Sequence, residues 1–188
     1  MSLTHEHEAP VNDERAVLKG LAARMIGGLI ASWVMDQFQR VWIKASEALP
    51  NSDANISNES SSPAQNEVQE PATILAAKAV SENIFGHELK ENEKKVGGNL
   101  VHYTVGSTSG AIYGAAAELT PKTTAGAGIP FGTALWLVVD EGAVPLLGLS
   151  KGPAEYPPST HIYALASHFV FGLTTEMIRR ALRRSILR

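Results

Sequence analysis

Eight ionisable side chains interrupt otherwise apolar stretches of this chain: Asp36, His102, Glu118, Asp140, Glu141, His161, His168 and Glu176. Two of them are adjacent, in the middle of the run LWLVVDEGAVPLLGL at 135–149. Imidazoles and carboxylates together support a small set of chemistries. They hold and pass protons, since histidine titrates near neutral pH and a neighbouring carboxylate tunes it. They also ligate divalent transition metals through N and O donors. A third role is mechanical, as interhelical hydrogen bonds and ion pairs that only fix the packing. No ligand pair has the tight spacing of a HExxH site, so the metal reading stays open without a spacing that favours it. The HEHE at 5–8 is a weak metal candidate that reads as a solvated tail.

Other chemistries have no residues to carry them. The chain has no cysteine, which excludes disulfides, thiolate metal sites and cysteine nucleophiles. There is no phosphate-binding glycine loop of the right form and no nucleophile elbow. GGNLVHYTVG at 97–106 is not a dinucleotide fingerprint, because no strand precedes it. A net charge of −3 gives no global pull towards nucleic acid. The expectation is a non-enzymatic protein with no cofactor and no nucleic-acid partner.

Four segments must position the eight residues: 18–43, 96–119, 124–149 and 160–182. Each is about 20 residues or longer, the length that crosses ~30 Å of hydrocarbon as a helix. Each is rich in Gly, Ala, Ser and Thr, a composition that suits helices packed closely within a bilayer. A soluble helical protein is the alternative. In water, each glycine inside these helices would cost roughly 1 kcal/mol relative to alanine. The fold class expected is therefore all-α, an integral membrane four-helix bundle. The first segment is too long for a signal-peptide core and is expected to remain as an anchor.

Around the bundle, residues 1–16 read as a polar cytoplasmic tail and 17–184 as the membrane domain. Residues 50–70 form a Ser/Asn-rich stretch with nothing to build a core, expected to be a disordered outer loop. Residues 71–94 read as an amphipathic helix lying on the membrane surface or on the bundle. Lysines and arginines set the orientation. RRALRRSILR at the C-terminus, with Arg15, Lys19, Arg24 and Lys122, outweighs the single Lys151 of the opposite short loop. Both termini are expected on the cytoplasmic side of the membrane.

Small residues at four-residue steps mark the helix contacts: Gly28 and Ser32; Gly106, Gly110 and Gly114; Gly128 and Gly132. Ridges left over after bundle packing are suited to a homo-oligomer. At 1.5 Å per residue, Asp36 lies roughly 10 Å from the outer end of its span, and Asp140 and His168 lie at similar depths in theirs. His102 lies roughly 6 Å from the outer end of its span. His161 sits at the outer rim. Asp36, His102, Asp140, Glu141, His161 and His168 thus fall in the outer half as proton or ion site candidates. Helical geometry separates the adjacent acids by about 100°. Asp140 is the one expected to face the bundle, and Glu141 is expected to point elsewhere. Gly142 and Pro145 are expected to bend or break the helix beside them. Glu118 and Glu176 fall at the inner ends, within reach of Arg179 and Arg180. The expected partners are the lipid bilayer and protons or a small cation.

The order VHY…YGAAAELTPK…PLLGL…SHFVFG…EMIRRALRR, over about 97–184, resembles the YagU family of small bacterial inner-membrane proteins. It is carried by His102, Tyr113, Glu118, Pro121, Pro145, Gly148, Leu149, His168, Glu176, Arg179 and Arg180. The resemblance implies a multispan inner-membrane protein linked to acid resistance, with no biochemical activity assigned. The alternative is a structural or partner-binding membrane protein whose buried polar residues only hold the bundle together.

Overall fold

The computed structural model describes residues 10–48 and 70–186. Most of the expected N-terminal tail, and all but the last residue of the expected outer loop, lie outside the described residues. Every regular element among those described is helical.

α1 runs over Pro10–Glu47, with proline at a start where its missing N–H costs no bond. α2 covers Ala72–Val80 and continues into one wide turn, Ser81–Phe85. α3 spans Glu91–Leu119. A tight segment, Pro121–Gly128, leads to α4 at Ile129–Val138. α4 then widens over Val139–Ala143 and ends with Val144–Leu146. α5 is Pro158–Ile186.

The bundle is two antiparallel pairs, α1 with α3 and α4 with α5, joined where α1 also packs on α5. Glycine decides how near each pair comes. A Cβ at Gly110 would sit 2.6 Å from Gly28 Cα, and one at Gly28 would sit 2.8 Å from Ser107 Cα. In the second pair, a Cβ at Gly128 would lie 2.7 Å from the Gly172 carbonyl carbon, and one at Gly132 would lie 2.9 Å from that of His168. Side chains there would force the backbones apart. Gly172 and Ser107 complete the ridges read from the sequence.

The interior is small and polar. Ser32, Ser107, Ser109, Ser167, His168, Thr175 and Glu176 are buried, beside Ala31, Met35, Tyr113, Ala117 and Phe171. Phe131 stacks on Tyr113 at 4.4 Å and reaches Phe171 at 6.1 Å, tying α3, α4 and α5 together. The large apolar side chains face outward instead, among them Ile26, Trp33, Leu100, Ile112, Leu137, Val138, Ile162 and Met177.

One helical run among the described residues, Lys122–Leu146, is long and apolar enough to cross a membrane. The other three segments expected to do so fall short of that mark. Their serines, threonines and titratable residues, many of them facing inward, lower the average over each helix.

The helix expected over 71–94 is interrupted. Gly86 takes a left-handed conformation (φ 62°) that ends α2, and residues 86–90 are irregular. The charges at 91–94 instead open α3, where Glu93 accepts the Lys90 backbone N–H at 2.8 Å. That bond, and then the contact with His87, hold the Glu93 carboxyl below the usual range. α2 lies on the bundle, its Ala77 and Ile74 against Gly97 and Gly98 of α3. Glu70 clamps the two, 2.7 Å from Lys94 and 2.9 Å from Lys78. Its carboxyl is held below the usual range by Lys94 first and Lys78 next, and the Lys94 ammonium is raised in turn.

Candidate functional site

The six candidates read from the sequence lie at one end of the bundle, as three histidine–carboxylate pairs that each bridge two helices. Asp36 of α1 meets His102 of α3, with Oδ1 to Nε2 at 3.1 Å. Asp140 in the wide turn of α4 lies 3.6 Å from His168 Nδ1 on α5. Glu141 meets His161 of α5, with Oε1 to Nδ1 at 2.6 Å. Asp140 is also within electrostatic reach of Glu141 and His102, so the pairs are not isolated from one another.

The wide turn explains why both adjacent acids face α5. Over Val139–Ala143 the helix closes i to i+5 bonds, with the Val144 N–H on the Val139 carbonyl. Across that turn both acids reach α5, Asp140 towards His168 and Glu141 towards His161. Pro145 has no N–H to continue a regular ladder, which favours the change of bonding here. Glu141, expected on a different side from Asp140 and open to pairing with another helix, meets His161 of α5. The expected weakening of this helix is a widened turn followed by a stop at Leu146.

Each pair has its own hydrogen-bond logic. His161 Nε2 lies 3.1 Å from the Pro153 carbonyl while Nδ1 faces Glu141. A carbonyl can only accept, so Nε2 carries a hydrogen. Two acceptors therefore share one imidazole. His168 differs. Its Nδ1 donates to the Ala164 carbonyl at 2.9 Å, so Asp140, 3.6 Å from the same nitrogen, is a neighbour and not its hydrogen-bond partner. His102 Nε2 is buried and makes no hydrogen bond among the described residues, although Asp36 is only 3.1 Å away. The two groups are close without hydrogen-bond alignment.

Tyr103 adds a member that the sequence reading missed. Its hydroxyl donates to Asp36 Oδ2 at 2.8 Å. The face of α3 held a usable signal: Tyr103, Gly106, Gly110 and Tyr113 follow at steps of three and four, so both tyrosines share the glycine ridge that meets other helices. The Pro153 carbonyl was also missed, because a backbone acceptor in a loop leaves no mark on composition.

At the opposite end the charges are of another kind. Glu176 is buried at 1% exposure and accepts from four donors. Arg179 gives Nε at 2.6 Å and a terminal nitrogen at 2.9 Å, Arg180 gives Nε at 2.6 Å, and the Tyr113 hydroxyl donates at 2.9 Å. Glu118 stands 3.9 Å from Arg179 and from Arg183, near enough for charge but beyond a hydrogen bond. Tyr113 and Arg183 extend the group expected here.

No group of three or more His, Asp or Glu among the described residues is arranged to hold a metal ion.

No curated protein and no solved structure is similar to the chain. A family model does match it over residues 55–177, taking in α2, α3, α4 and α5 through Met177 but neither Asp36 nor the C-terminal arginines. The chain belongs to that family, DUF1440, described as a protein of unknown function.

Proposed function

We propose that this protein is a four-span bacterial inner-membrane protein of the YagU type, with both termini in the cytoplasm. Its histidine end faces outward and takes up or releases protons in acid tolerance. The observation that carries the reading is the set of three histidine–carboxylate pairs at one end, each made across two helices.

The membrane part rests on the arrangement of polarity. Serine, threonine, histidine and glutamate are inside, and isoleucine, leucine, valine and tryptophan are outside. A soluble monomer would leave that apolar surface in water. In a bilayer the same surface meets lipid, and titratable groups lie inside, paired. The glycine ridges serve close packing where lipid offers no hydrophobic drive between helices.

The proton part rests on residue chemistry. Each pair can exist with one proton more or fewer, and histidine makes that change near neutral pH. When outer pH falls, the His102 and His168 rings gain charge beside Asp36 and Asp140. The gain alters the attraction across α1–α3 and α4–α5 together. Acid-survival assays of His102→Ala and His168→Ala test this. The expected result is loss of survival at low pH while both variants accumulate in the membrane at normal levels. Normal survival of both would overturn the proton reading and leave the pairs as clamps.

A further inference from the structure

The outward face of α5 changes character within one turn. Val170, Leu173 and Met177 follow at steps of three and four, with Met177 70% exposed. The same line continues into Arg180 and Arg184, and Arg183 lies one turn from Arg180. Positions 180, 183 and 184 share one side of a helix. An apolar stripe that turns cationic without a break fits the boundary between hydrocarbon and lipid headgroups.

The arginines are not equivalent. Arg179 is spent on Glu176, with its side chain 12% exposed. Arg180 gives Glu176 only its Nε, at 2.6 Å, and its side chain is half exposed. Its guanidinium is thereby held at the base, while both terminal nitrogens are left without a partner among the described residues. Arg183 is 53% exposed and has only the 3.9 Å approach of Glu118. Arg184 is exposed and has no acidic partner among the described residues. Pro121–Gly128 packs on α5 and adds the exposed Lys122 to this end.

A guanidinium fixed through Nε presents a planar two-nitrogen fork, the geometry that matches two oxygens of a phosphate. We propose that Arg180, Arg183 and Arg184 bind the phosphate of an anionic phospholipid, with Glu176 holding the Arg180 fork in place. The ligand is a lipid and not free phosphate, because the apolar stripe ending at Met177 continues directly into the cationic face and would lie against acyl chains. The inference rests on the membrane reading given above.

The test uses the full-length protein extracted in mild detergent and offered equal amounts of phosphatidylglycerol and phosphatidylcholine, with retained lipid measured by native mass spectrometry. Wild type should retain phosphatidylglycerol preferentially. The Arg183→Gln/Arg184→Gln variant, which leaves Arg180 on Glu176, should lose about fivefold in that preference per arginine removed. Arg180→Lys should weaken it too, since lysine keeps the charge but has neither Nε anchor nor fork. Equal retention by wild type and the double variant would overturn the site. Displacement of the lipid by inorganic phosphate at comparable concentration would overturn its assignment to lipid. Release of wild type from membranes by alkaline carbonate would instead refute the membrane reading itself.

Discussion

The two ends of this bundle handle charge in opposite ways. At the arginine end, a nearly inaccessible carboxylate is met by four donors, and guanidinium groups stay charged at any pH the cell meets. Nothing there changes state, so Glu176 acts as a fixed anchor for α3 and α5. At the histidine end each carboxylate has one imidazole partner, the contacts range from 2.6 to 3.6 Å, and one ring nitrogen is buried without a hydrogen bond. The Asp36–His102 and Asp140–His168 pairs are under-saturated. A group meant only to hold helices together is best served by full satisfaction, as Glu176 is. A group meant to change protonation must leave room for the other state.

The comparison can be broken most sharply at the anchor. Glu176→Gln removes the charge facing Arg179 and Arg180 and should cost about 3–5 kcal/mol, the usual price of stranding a buried charge. Thermal unfolding in detergent should show a large drop, and the variant should accumulate poorly. A next tier concerns packing beneath the histidine end. Gly132→Val would push α4 off the His168 carbonyl, costing about 1–3 kcal/mol and separating Asp140 from His168. Its unfolding temperature and its acid survival should fall together.

His102→Ala and His168→Ala should behave otherwise. His102→Ala removes one half-satisfied contact and should shift stability at neutral pH by about 1 kcal/mol or less; His168→Ala also empties a buried place and should cost about 2 kcal/mol, while survival in acid is lost in both. If these variants unfold as readily as Glu176→Gln, the two ends do the same job and the contrast is wrong. Tyr103→Phe removes a single hydrogen bond to Asp36, worth about 0.5–1.5 kcal/mol. It should leave the fold intact and alter the acid response of the His102 pair alone.

The smallest effect belongs to Glu70, outside the bundle. Its native carboxyl lies below the range of an unfolded chain, so its contribution is full above the unfolded value and disappears as pH falls through the native one. Glu70→Gln should flatten that acid dependence slightly without touching survival. A survival defect in this variant would move the acid response from the histidine end to α2.

Much of this contrast is legible in the sequence. The 3.6-residue period and small-residue steps put Gly28, Ser32, Gly106, Gly110, Gly128 and Gly132 on facing ridges, and in the structure close backbone approaches occur at them. Rise per residue grouped Asp36, His102, Asp140 and His168 towards one end of their helices, and the structure pairs them there. What failed was any inference needing a departure from ideal geometry. A regular helix separates Asp140 from Glu141 by about 100°, yet across the widened turn at 139–143 both meet histidines of α5. Likewise the left-handed Gly86 divides what periodicity read as one helix over 71–94. Partners on backbone, such as the Pro153 carbonyl, leave no trace in residue type.

The central claim is that the histidine end changes protonation in the folded protein while the arginine end does not. Nitrogen-15 NMR of histidine-labelled protein in lipid, followed from neutral pH down to the onset of unfolding, measures this ring by ring. The account predicts that the rings of His102 and His168 gain a proton reversibly while Glu176 keeps the fold together, and that Asp36→Asn alters the response of His102 but not of His161. Rings that keep one protonation state until the fold is lost would contradict it.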